Sequence, residues 1–135
     1  MKKFLIFILA ITTIILVGCS SKNNAPANLE GNWIDSEYTE SDSYMTATIT
    51  DNVIEIYWCM DGGESTALYW AGSFAPPTTP GDYSWDSVND TEKTSTALLA
   101  SGAETKTFSY KNGEILFELT AIGVTRTVHL VRNSD

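Results

Sequence analysis

Between Tyr44 and Cys59 the side chains alternate with a period of two, interrupted only by the pair Asp51-Asn52. Met45, Ala47 and Ile49 fall on one face of the first run, and Tyr44, Thr46, Thr48 and Thr50 on the other. In the second run Ile54, Ile56 and Trp58 oppose Glu55, Tyr57 and Cys59. Successive side chains of an extended chain point to opposite faces, so both runs predict strands that bury one face each. Asp-Asn is a tight-turn pair that suits a two-residue hairpin. A lone hairpin is barely stable in water, so the rest of the chain must supply more strands for this one to join.

The same grammar recurs along the chain. Gly31-Asn32-Trp33 opens a first strand, and Asp61-Gly62-Gly63 turns into a strand over Ser65–Phe74 with Leu68, Trp70, Gly72 and Phe74 on one side. Gly72 there predicts either room opposite a large ring or a bend. Pro76, Pro77, Pro80 and Gly81 form a stiff loop that cannot lie inside a sheet. Strands follow over Tyr83–Val88 and Lys106–Tyr110, and Asn112-Gly113 is the strongest hairpin signal in the chain. Ile115, Phe117 and Leu119 share a face of the returning strand, Gly123 turns the chain again, and Val128, Leu130 and Arg132 share the parity of the last strand. Residues 90–104 suit either a short helix capped by Asp90 or Thr91 or an extended edge, and the expectation is an irregular segment with one helical turn. The predicted fold class is all-β, a small antiparallel up-and-down meander of about eight strands that closes as a barrel or folds over as a sandwich.

Ahead of this domain stand Lys2 and Lys3, then an apolar run from Phe4 to Val17 broken only by Thr12 and Thr13. At roughly 14 residues it is shorter than the ~20 that cross a bilayer, and it reads as a cleaved helical export signal. The A-x-A-like end of a plain secretory signal is absent. Leu16-Val17-Gly18-Cys19 instead resembles the lipobox of bacterial lipoprotein signal peptides. That resemblance implies removal of residues 1–18, cleavage between Gly18 and Cys19, and a thioether-linked diacylglycerol on Cys19 with palmitate-type chains. The exported protein is then held on the outer face of the cell membrane by a membrane anchor that spans nothing. Ser20 in place of Asp implies the outer membrane in a double-membrane host. The Ile-rich, Ala-poor leader favours a single-membrane one. Residues 19–29 form the lipidated Cys and a flexible stalk, with a reach of at most about 30 Å over positions 20–28. Residues 30–133 form the β domain.

The chain carries 8 Lys+Arg against 17 Asp+Glu, a formal net charge of −9, and loss of Lys2 and Lys3 with the leader makes the balance more acidic. Such a surface disfavours nucleic acid and anionic headgroups and suits a basic protein partner or simple solubility. With Cys19 acylated, Cys59 has no disulfide partner, so stability rests on packing. His129 is the single histidine, C-x-x-C and H-E-x-x-H are absent, and no G-x-S-x-G occurs. No cofactor, metal or catalytic set is expected. Asp61 and Glu64 read as turn formers rather than calcium ligands.

Gly31-Asn32-Trp33 resembles the G-x-W that begins the first strand of small lipocalin-like barrels. The family also carries an Arg near the end of the last strand, packed across that Trp ring; Arg132 is the candidate partner of Trp33 and Arg126 competes with the same parity. Ile54–Trp58, Asp61-Gly62-Gly63, Leu68-Tyr69-Trp70, Lys106-Thr107-Phe108 and Asn112–Ile115 are similar to a group of uncharacterised prophage- and phage-encoded lipoproteins of single-membrane bacteria. With the tryptophans in the core, Tyr57 and Tyr69 are expected outside, either as a contact patch or as a cross-strand pair that stiffens the sheet. Tyr83 and Trp85 form a second candidate patch. The functional expectation is a surface-tethered, non-enzymatic binding module, with superinfection exclusion as its specific version. The alternatives are an inhibitor of a basic envelope enzyme such as lysozyme and a lipocalin-like carrier of a small apolar ligand. The S-G-x-x-Y loop of small lipoprotein lysozyme inhibitors is not reproduced, since Ser101-Gly102 leads to Thr105 at the Tyr position.

Overall fold

A computed structural model describes residues 24–134; the leader, Gly18 and Cys19 lie outside them. Eight strands follow one another as β1 (Gly31–Asp35), β2 (Tyr44–Thr50), β3 (Val53–Met60), β4 (Ser65–Ser73), β5 (Tyr83–Asn89), β6 (Thr105–Lys111), β7 (Glu114–Ala121) and β8 (Val124–Arg132). Each is antiparallel to its neighbour, and β8 pairs back onto β1 through Trp33↔Arg132 and Asp35↔Leu130. The sheet is therefore a closed barrel in sequence order, an up-and-down arrangement of lipocalin-like type. Pairing of the first strand with the last resolves the barrel-or-sandwich alternative in favour of the barrel.

The alternation of the sequence becomes inside and outside. Met45, Ala47, Ile49, Ile54 and Ile56 are buried, as are Ile115, Phe117, Leu119, Val128 and Leu130. Three hairpins turn on two residues each with positive φ, at Asp51-Asn52, Asn112-Gly113 and Ile122-Gly123. Gly72 does more than leave space. A Cβ there would run into the Ser87 hydroxyl and the Val88 carbonyl, so its absence lets β4 and β5 approach while the Trp70 indole donates to Ser87 Oγ at 3.1 Å.

Alternation fails at the end of β3, where Cys59 rather than Trp58 is the buried residue, and within β4. Ile56 faces Trp70 but Tyr57 faces Leu68, so Tyr69 is an extra residue in β4. A β-bulge of this kind bends the strand and re-aims a side chain. Tyr69 and Trp70 are consecutive, yet both are buried. Residues 90–104 form one helical turn, α1 (Thr91–Thr94), and then irregular chain. This segment lies along β4, with the amide of Asp90 donating to Ala71 O and that of Ser101 to Tyr69 O, both at 2.8 Å.

The barrel has two distinct ends. The turns at 51–52 and 112–113, the proline loop 74–82 and the chain on both sides of the domain gather at one, here called the sealed end. The turn at 122–123, the segments 36–43 and 61–64 and residues 99–101 gather at the other, the far end, while the start of the 90–104 segment lies on the wall against Ala71 and Glu55. The domain begins earlier than residue 30: Leu29 is buried and Ala27 packs against the core. The polar, aperiodic composition of 20–28 hid this docking, and it shortens any free stalk.

Candidate functional site

At the sealed end the Arg132 guanidinium carbon stands 4.2 Å from the centre of the Trp33 ring. Its two terminal nitrogens donate to the carbonyls of Glu30 and Asn28, and the Trp33 indole donates to Leu29 O at 3.0 Å. Gly31 makes this possible. Its φ is +118°, and a Cβ there would meet the guanidinium at 2.9 Å. The glycine, the tryptophan and the arginine thus serve one geometry, in which a cation over an indole contributes ~0.5–2 kcal/mol. Tyr110 closes the other side of Trp33 edge-on at 6.5 Å. Arg126 shares the inward parity of Arg132 but takes a different partner at the opposite end.

That partner is Asp35, whose carboxylate is 1% exposed and accepts from Arg126 at 2.8 Å and from the Glu37 amide at 3.2 Å. The buried charge is thereby both paired and hydrogen-bonded. Beside it Trp58 is half-buried, edge-on to Tyr69 at 5.8 Å. Trp58 and Tyr69 belong to a groove of about 430 Å³ at the far end, with Met60 and Leu99 and with Ile122 at its lip. A second cleft of about 600 Å³ opens in the wall where β6 and β7 pair only from Ser109↔Leu116 to Lys111↔Glu114. Lys106 spans that split, donating to Glu118 O at 3.4 Å with its amine 5.0 Å from the Tyr69 ring centre.

Of the four aromatics expected in contact patches, Tyr69 and Trp85 are buried and Tyr57 and Tyr83 are half-buried. Tyr69 is 6% exposed because the bulge turns it inward, and it stacks on Phe117 at 6.2 Å. Trp85 is 5% exposed, since β5 pairs it with Phe108 and its parity points into the barrel. Its indole N–H has no hydrogen-bond partner among the described residues. Tyr83 stacks on Trp85 at 5.6 Å and donates to Ala75 O, while Tyr57 is half-buried and donates to Glu55 at 3.0 Å. Together Tyr83, Trp85, Phe108, Phe117, Tyr69 and Trp58 form a continuous column of ring contacts through the barrel. Trp33, Trp70 and Phe117 are buried and Trp58 packs against them, so side chains occupy the space a lipocalin-like carrier would give its ligand.

The exposed apolar groups lie elsewhere. Leu98 and Ile122 are 100% and 102% exposed, and Leu99 and Val124 follow at 48% and 67%. Ile122 also has φ +52°. Left-handed backbone disfavours a β-branched residue by roughly 1–2 kcal/mol, and full exposure returns nothing from burial. Composition and periodicity did not single out these residues. The available signal was Ile-Gly standing where the preceding hairpin has Asn-Gly.

Among the described residues no group of three or more His, Cys, Asp or Glu is placed to hold a metal ion. His129 Nδ1 lies 2.9 Å from Glu114 on the outer wall, and Cys59 is buried against Thr46 Oγ1 at 3.4 Å. On the outside of β3, Glu55 accepts from Lys93 of α1. The Lys93 hydrogen bond holds the Glu55 carboxyl below its ordinary range, and the same bond raises the Lys93 ammonium. Burial, followed by the bond to Glu55, pushes the Tyr57 phenol up. Set against family models, curated proteins and solved structures, the chain matches none.

Proposed function

We propose that this protein is a non-enzymatic binding module, tethered through a lipid on Cys19 to the outer face of the cell membrane and acting by contact with a protein partner. The observation that supports this is the polarity of the barrel. The chain enters at the sealed end, where Leu29 is buried and Arg132 grips the backbone of residues 28 and 30. The exposed apolar residues Leu99 and Ile122 line one groove at the opposite end. A tether at the first end turns the second away from the membrane. It also raises the local concentration there, so that weak contacts become effective.

Superinfection exclusion is the setting in which such an outward-facing contact is most direct: a phage-encoded lipoprotein meeting an incoming phage component at the surface. Two experiments test the proposal. Mass spectrometry of the protein from its native cell should find an acylated Cys19 at a new N-terminus. Expression in a sensitive host should lower plaque counts for some phages of a broad panel, and Cys19→Ala should restore them. An intact leader, unchanged counts throughout the panel, or turnover of an envelope polymer by the purified protein would each defeat it.

A further inference from the structure

We infer that the far-end rim is a docking surface for a basic polypeptide segment, which seats an apolar side chain between Trp58, Tyr69, Leu99 and Ile122 while its Lys and Arg side chains face the surrounding acidic loops. The inference rests on the proposed contact role and names the surface and the partner's chemistry. Its first support is Ile122. The turns at 112–113 and 122–123 have the same length and the same positive φ at both residues. One uses Asn-Gly, which that backbone favours, and the other uses Ile-Gly, which it does not. A residue held against local preference, with no burial in return, points to a role outside the fold. The groove beside it is the second support: about 430 Å³, with aromatic and aliphatic walls and open to solvent.

Charge identifies the occupant. Glu37, Glu40, Asp42, Asp61 and Glu64 lie exposed in the loops of this end. Arg126 is committed to Asp35 and Glu37, and Lys93 to Glu55. An apolar centre inside a charged rim has the anatomy of a protein interface, and this rim calls for a cationic counterpart. The same acids repel an anionic lipid surface, so exposed Ile122 and Leu98 are not membrane-inserting tips.

The test uses the full-length chain in detergent micelles. Ile122→Asn recreates the Asn-Gly turn and should raise Tm by roughly 4 °C. A random dodecapeptide display library should yield ligands with Lys and Arg flanking one aromatic or branched apolar residue. These should weaken at least tenfold on Ile122→Asn, on Asp61→Lys with Glu64→Lys, and on raising salt from 50 to 500 mM. A fall in Tm, selection of acidic or neutral peptides, or equal binding by Ile122→Asn would overturn the inference. Plaque counts separate it from the proposal beneath it. If Ile122→Asn protects as well as the wild type while Cys19→Ala does not, the rim is wrong and the tethered role stands. If Cys19→Ala protects fully, the tethered role itself fails.

Discussion

Each end of this barrel holds a tryptophan and an arginine, and the two pairs behave differently. At the sealed end Arg132 lies over Trp33 and spends its donors on backbone carbonyls, so the ring is 1% exposed. At the far end Arg126 pairs with Asp35 and Trp58 stays only partly buried. The difference traces to what stands within reach. A carboxylate offers a charge-assisted hydrogen bond, which is stronger than the face of an indole. With Asp35 inside the wall the cation is drawn to it, and the neighbouring ring is left to line a groove. One end thus serves stability and the other keeps a surface available.

The largest test of this contrast is paired truncation. Trp33→Ala should destabilise the barrel by about 3–5 kcal/mol, while Trp58→Ala should lower stability by less than half as much, both read from urea midpoints. Equal losses would erase the distinction between the ends. Arg126→Met comes next. It leaves the buried Asp35 carboxylate without its cation, and partial exposure of Arg126 limits the loss to about 2 kcal/mol. Asp35→Asn in the same background should recover part of it. Arg132→Met should cost about 1–2 kcal/mol and speed amide exchange at residues 29–33 while leaving 122–126 unchanged.

The smallest effect concerns pH. Glu55 has its folded pKa lowered from 4.5, so its contribution is present above that value and fades as pH falls through the lowered one. Lys93 is raised above 10.5 and Tyr57 above 10.0, so their contributions are complete below those values and fade as pH climbs past them. Acid should therefore quicken exchange in residues 90–104 before the sealed end responds, and Glu55→Gln should remove that early step. A simultaneous response of both ends would mean that the ion pair does not hold this segment.

Most of the barrel was legible because one period, two, governs nearly all of it. Strands β2 and β7 and the first half of β3 follow the alternation of Met45, Phe117 and Ile54 with their neighbours, and the turns at 51–52 and 112–113 carry residues that accept positive φ. The G-x-W resemblance pointed to Trp33 and Arg132, and parity kept Arg126 in view, but nothing in the spacing indicated that Asp35 would claim it. Tyr69 was misplaced because it is the inserted residue of a bulge, which leaves Trp70 and Gly72 inside as expected but puts Leu68 opposite Tyr57, and a bulge leaves no mark on composition. Leu29 was missed because a single apolar residue after Ala25-Pro26-Ala27-Asn28 has no period at all. The far-end rim was hidden differently: its residues break local preference, and a search for regularity passes over them.

The grip of Arg132 on the carbonyls of Asn28 and Glu30 has a mechanical consequence. With the proposed tether on Cys19 and an occupant at the opposite rim, tension between them would enter at the start of β1 and run mainly along the strands. Hydrogen bonds of β2 and β8 on either side of β1 would then resist it together, in shear, and could not be unzipped one at a time.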